Sequence, residues 1–124
     1  MKDLGHLYYF ENLLQEANND LVREATAAGK RAVGSVCSQI PEVLLDLPGC
    51  FSVRLRAPRT GSMEMGTFYM TSLLCECCRA LLERAIEGGY RFLDCIMAPD
   101  ACAQMNRCVE NIDLQKLCDK DRFF

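Results

Sequence analysis

Leu7, Phe10, Leu14, Ala17, Leu21 and Ala25 recur at three- and four-residue steps, the period of a helix with one apolar face. The pattern predicts a helix over 7–28 that stops at Gly29. Ala32-Val33-Gly34-Ser35-Val36 follows as a short apolar run, the signature of a buried strand. Ser38 or Gln39 as cap, Pro41 in the first turn and Glu42 beside the N-terminal dipole predict a second helix. It carries Val43, Leu44, Leu45 and Leu47 and breaks at Pro48-Gly49. From Phe51 to Ala57 apolar residues alternate with Ser52, Arg54 and Arg56, which is the strand period.

Residues 58–66 are the most loop-like stretch. A long helix is predicted after them, ending at Gly88-Gly89, with Met70, Leu74, Cys77, Leu81 and Ala85 along one face. Residues 92–98 read as a third strand, stopped by Pro99-Asp100. Asp100 is a candidate cap for a helix running through Met105 and Val109, and 113–117 is a shorter helical piece. Arg122-Phe123-Phe124 has the look of a further strand beginning. Strands joined by helical connections imply an α/β fold with a parallel sheet, a three-layer Rossmann-like (flavodoxin-like) unit preceded by an N-terminal helix. Residues 1–29 form the N-terminal helical segment and 30–124 the α/β domain. Such sheets bind ligands at the carboxyl ends of their strands. Cys37 follows the first strand, Cys102 follows the third, and Cys75 falls near the start of the long helix if Thr71 or Ser72 caps it.

Composition changes this picture at one point only. The 124 residues have a net charge of −3, half of them apolar and a quarter charged, as in an ordinary globular domain. That balance offers no general attraction for nucleic acid or an anionic membrane. Nine cysteines are far above ordinary usage. The opening residues hold no apolar core for a signal peptide, and no stretch approaches the ~18 apolar residues of a membrane helix. The chain therefore reads as cytoplasmic, with reduced thiols. An odd count, and three thiols crowded into Cys75-Glu76-Cys77-Cys78, suit a disulfide framework poorly.

Thiolate bound to metal and buried free thiols both remain open. Cys75 and Cys78 are spaced CxxC and share a helix face. A redox dithiol places its first cysteine at a helix N-terminus, which lowers the thiol pKa. A closed zinc site wants a second such pair, and Cys102 and Cys108 are spaced too widely for it. Iron–sulfur clusters accept thiolates far apart in sequence.

Three ordered blocks then carry a resemblance. Residues 75–88, from Cys75-Glu76-Cys77-Cys78 to Glu87-Gly88, resemble the cysteine–helix–Glu-Gly block of the 2-hydroxyacyl-CoA dehydratase D-component family, which includes the benzoyl-CoA reductase subunits. Tyr90-Arg91-Phe92-Leu93-Asp94 and Ala98-Pro99-Asp100-Ala101-Cys102 are similar to its aromatic–Asp–strand–Cys block at the matching distance. Gly34-Ser35-Val36-Cys37-Ser38-Gln39-Ile40-Pro41-Glu42 resembles its Cys-Ser-x-x-Pro-Glu turn, and Val53 to Arg56 its next strand. The likeness spans residues 31–110.

The resemblance implies a 4Fe-4S cluster held by three cysteines, of which Cys75 and Cys102 match two; Cys78 and Cys108 are alternates. The third family ligand lies far downstream, and family members are much longer, which implies an N-terminal part of a longer subunit, incomplete at its C-terminus. Ala103 follows Cys102 where the family commonly has Asp. The implied chemistry is one-electron reduction of an acyl-CoA thioester, with the electron supplied by an ATP-dependent iron–sulfur activator. In the dehydratases a ketyl radical anion then expels the 2-hydroxyl; in the reductases a ring is reduced. A second homologous subunit is the other implied partner, and neither nucleic acid nor membrane is.

Plainer readings stand beside these. Cys50, Cys95 and Cys118 fall in apolar segments and read as core thiols, and Cys77 faces the helix core. Cys37 is either a residue approaching cluster or substrate or a small residue in a tight turn. Glu42 either complements the helix dipole or faces substrate. Arg54, Arg56 and Arg59 are a solvated face or a site for the phosphates of coenzyme A. Two rival functions follow: a non-catalytic accessory chain of the same fold, and a small zinc or thiol-redox module.

Overall fold

A computed structural model describes residues 4–57 and 62–118. Three strands, β1 (Arg31–Ser35), β2 (Cys50–Arg54) and β3 (Cys95–Met97), form one sheet in the order β2-β1-β3. Both pairings are parallel, with Val33 opposite Ser52 on one side and Cys95 on the other. Being central and covered on both faces, β1 is buried continuously from Ala32 to Ser35 rather than at alternate positions. The edge strand β2 alternates, burying Val53 and exposing Ser52 and Arg54. Asp94 pins β3 to β1: its carboxylate accepts the Ala32 N–H at 2.9 Å and its own N–H donates to the Ala32 carbonyl at 2.9 Å. The fold is α/β, a Rossmann-like open parallel sheet with five helices among the described residues.

The helices depart from the sequence pattern in instructive ways. The single helix expected over 7–28 is two, α1 (Gly5–Gln15) and α2 (Asp20–Ala27). Asn19 divides them: its Oδ1 accepts the Val22 N–H at 3.1 Å as a cap, and its Nδ2 donates to the Leu13 carbonyl at 3.1 Å. Gly29 ends α2 at φ 82, as expected of a glycine stop. The expected helix after Pro41 is only a 3-10 turn, Glu42–Leu44. Between Pro41 and Pro48 there is too little chain to repay helix nucleation, and Leu45 alone of its leucines is buried.

The long helix predicted before Gly88 is also broken, into α3 (Glu64–Met70) and α4 (Glu76–Ile86). Thr71, at φ 65, turns the chain between them. The two helices cross closely at Gly66, where an added Cβ would lie 2.3 Å from the Arg79 carbonyl oxygen. The Gly66 N–H donates to Glu83 at 2.7 Å, which satisfies a carboxylate buried inside α4. The last helix, α5 (Ala103–Leu114), is capped by Cys102 rather than Asp100 and absorbs the start of the separate piece expected at 113–117. Asp100 instead accepts a hydrogen bond from the Asn106 side chain at 2.5 Å. The strand expected at Arg122-Phe123-Phe124 lies outside the described residues, as does Arg59.

One core joins these parts. Ala32, Val36 and Ile96 from the sheet region pack with Met70, Leu82, Met105 and Ile112 of α3, α4 and α5, and Val22 of α2 adds to it. Tyr90 is fully buried there and donates its hydroxyl to the Arg56 carbonyl at 3.0 Å. Burial pushes its phenol pKa up. No residue of α1 is buried.

Candidate functional site

The carboxyl ends of β1 and β3 and the N-termini of α4 and α5 carry the thiols of interest. Cys37 lies two residues beyond β1 at φ 65, a left-handed backbone that a non-glycine residue adopts at a cost. Cys75 is the N-cap of α4, and Cys102 is the N-cap of α5. The backbone N–H of Cys75 donates to Gln104 Oε1 at 2.7 Å, so the first turn of α5 holds the cap of α4. Cys75 and Cys102 therefore stand at neighbouring helix N-termini, and both are exposed.

Environment separates the thiols into two kinds. No side-chain cap bond closes the start of α4. The Cys78 N–H is nevertheless the chief influence holding the Cys75 thiol below its usual range; desolvation opposes it, and the Cys77 N–H, the Cys78 thiol and the Arg79 charge add smaller lowering contributions. Cys78 and Cys108 are buried, and burial first, then neighbouring thiols, push each up to about 12. Cys108 Sγ donates to the Cys78 carbonyl at 3.2 Å, and Cys118 Sγ to the Tyr90 carbonyl at 3.8 Å. These last two are inert, satisfied thiols.

Cys77 corrects the sequence reading. It is exposed, and Cys78 takes the core position with Leu81, Leu82 and Ala85. The break at Thr71 resets the helix phase, so the stripe projected back from Met70 does not continue through Cys77. Burial pushes the Cys77 thiol up, and the charges of Cys75 and Cys37 add to the shift. Cys118 is a core thiol as expected, while Cys50 and Cys95 are half-buried. The backbone of Glu42 opens the 3-10 turn, and its side chain lies outside the described residues.

Cys37 also lines a cleft of about 200 Å³ with Ser35, Ser38, Ser52, Arg54 and Arg56, at the carboxyl ends of β1 and β2. Gln104 and Arg79 were not legible as site residues from sequence. Gln104 has no motif spacing. Arg79 is fixed by a local contact to the Leu74 carbonyl at 3.2 Å and by one to Thr67 Oγ1 at 2.9 Å that exists only once α3 packs on α4. Among the described residues, no three His, Cys, Asp or Glu side chains are placed together to hold a metal ion.

A profile of the 2-hydroxyglutaryl-CoA dehydratase D-component family matches residues 37–120, more than half of the chain, from Cys37 through Cys75 and Cys102. The chain belongs to that D-component family. No curated protein matches it. As a dehydratase-family subunit it carries the Cys37 turn, the α4 cap and the α5 cap inside the matched stretch. No helix among its described residues is long and apolar enough to cross a membrane.

Proposed function

We propose that this D-component subunit binds an iron–sulfur cluster through Cys75 and Cys102 and takes part in reductive dehydration of a 2-hydroxyacyl-CoA. The observation that supports the reading is the Cys75 N–H to Gln104 hydrogen bond, which couples the two capped helix ends. The donor set suits two corners of a thiolate-held cluster: both sulfurs are exposed, and the Cys75 thiolate is favoured by the free N–H groups of α4. The described residues do not bring a third cysteine into place, so further ligation has to come from elsewhere. When bound, the cluster supplies single electrons and a Lewis-acidic iron.

This chain's own residues orient and shield. Gln104 fixes the α4 cap, and Arg79 places a positive charge beside Cys75. Arg54 and Arg56, along the cleft with Cys37, suit the phosphates of coenzyme A. A second homologous subunit, which would enclose the substrate, and an ATP-dependent activator complete the reading.

Anaerobic reconstitution of the full chain with iron and sulfide tests it. We expect iron and sulfide to bind with broad visible absorption, and Cys75→Ser or Cys102→Ser to lose more than half the bound iron, as expected when one of few ligands is removed. Full iron retention in both variants would overturn the assignment and point to Cys78 and Cys108. Stoichiometric zinc in place of iron would favour the zinc-module reading.

A further inference from the structure

The cluster reading uses only one sulfur of the Cys75–Cys78 pair. Cys75 caps α4 in solvent, and Cys78, in the first turn, is 1% exposed. A helical turn holds Cα atoms three residues apart at about 5 Å, within the roughly 4.4–6.8 Å that a disulfide spans. Residues three apart lie on one face of a helix, which puts the Cys75 and Cys78 side chains on the same side of the first turn of α4. Rival pairs are worse placed. Cys77 is two residues from Cys75 and points to another side of the helix. Cys108 turns its Sγ to the Cys78 carbonyl rather than to the Cys78 sulfur. One sulfur open to a reagent and a second buried directly behind it is the arrangement that thiol–disulfide exchange needs, because the second step must be intramolecular and shielded from further reagent.

We propose that Cys75 and Cys78 form a redox dithiol that closes reversibly to a disulfide in the metal-free chain. The oxidant is a low-molecular-weight disulfide. The Cys75 thiolate attacks one of its sulfurs, the small S–S bond breaks, and one small thiolate leaves and takes up a proton. Cys78 then gives its proton to solvent and attacks the Cys75 sulfur, and the second small thiol departs. The protein loses two electrons and two protons, and the small disulfide gains both as two thiols. Closure takes Cys75 out of any ligand set, and reduction returns it. The dithiol goes beyond the cluster reading and does not depend on it.

The full chain, stripped of metal by a chelator, is equilibrated with mixtures of reduced and oxidised glutathione, quenched with acid, alkylated and mapped by peptide mass spectrometry. We expect the peptide holding residues 75–79 to lose two hydrogens and to carry one alkyl group, on Cys77. Cys75→Ser and Cys78→Ser should each abolish that loss, whereas Cys77→Ser and Cys108→Ser should keep it. The map of the unsubstituted chain stands without any variant, so a poorly folding Cys78→Ser does not blunt the test. A Cys75–Cys77 or Cys78–Cys108 link, or no intramolecular link in any mixture, would overturn the proposal. Iron binding by a chain that never forms the disulfide would leave the cluster reading intact, and a disulfide-forming chain that takes up no iron would remove the cluster reading alone.

Discussion

Two neighbouring cysteines differ here because one is at a helix cap and the other is under it. Cys75, with its thiol pKa lowered chiefly by the Cys78 N–H, should be the first site alkylated by iodoacetamide in the metal-free chain. Its rate should reach half-maximum below the ordinary thiol pKa of about 8.5. Peptide mapping across a pH series checks this, and preferential labelling of Cys78 or Cys108 would refute it. Those buried thiols also act on stability. Each is raised to about 12 when folded, so the unfolded chain gives up these protons first. Their contribution is fully present below about pH 8.5, the unfolded thiol value, and is lost as pH climbs through 12. Melting temperature should fall over that window. Cys108→Ala should flatten the fall even though the variant starts lower; an unchanged slope would count against buried neutral thiols.

At the scale of elements, the α3–α4 crossing sets where α4 begins and hence where Cys75 sits. Gly66 permits it, since no side chain fits against the Arg79 carbonyl at 2.3 Å. Backbone does not yield as a flexible side chain does. Gly66→Ala should cost about 2–3 kcal/mol by urea unfolding, the upper part of the usual overpacking range. It should also weaken the Gly66 N–H to Glu83 contact and, with it, the protection of that amide from exchange. A variant within about 0.5 kcal/mol of the parent would show the crossing to be looser. The helix periodicity was readable on either side of Thr71 but the break was not. A β-branched residue at positive φ is disfavoured locally and persists only because packing holds it. The division at Asn19 was closer to legible: Asn18-Asn19-Asp20 is a polar interruption with a capping residue.

The whole molecule is a three-stranded open sheet with both β2 and β3 at its edges. The cleft beside Cys37 is about 200 Å³, smaller than the roughly 300–1,000 Å³ typical of ligand pockets, and it is open. Reductive chemistry on a thioester needs a site closed to water. We therefore expect the 124-residue chain to show no dehydration of any 2-hydroxyacyl-CoA under anaerobic assay with activator, ATP and reductant. Turnover should appear only when a partner subunit is added. Dehydration by the isolated chain would overturn this.

Sequence alone determined the parallel α/β architecture, because β1 lacks the polar alternation that β2 shows, and period and composition are local properties. It also determined family membership through the ordered Cys37, Cys75 and Cys102 blocks, since those depend on identity and spacing only. Helix boundaries were decided by tertiary structure. The reset at Thr71 moved the buried position from Cys77 to Cys78, and one residue along a helix is a rotation of about 100°. Only the fold, likewise, set Gln104 on the Cys75 N–H across 29 residues of chain, because that contact comes from packing α5 against α4 and leaves no periodic trace in the sequence.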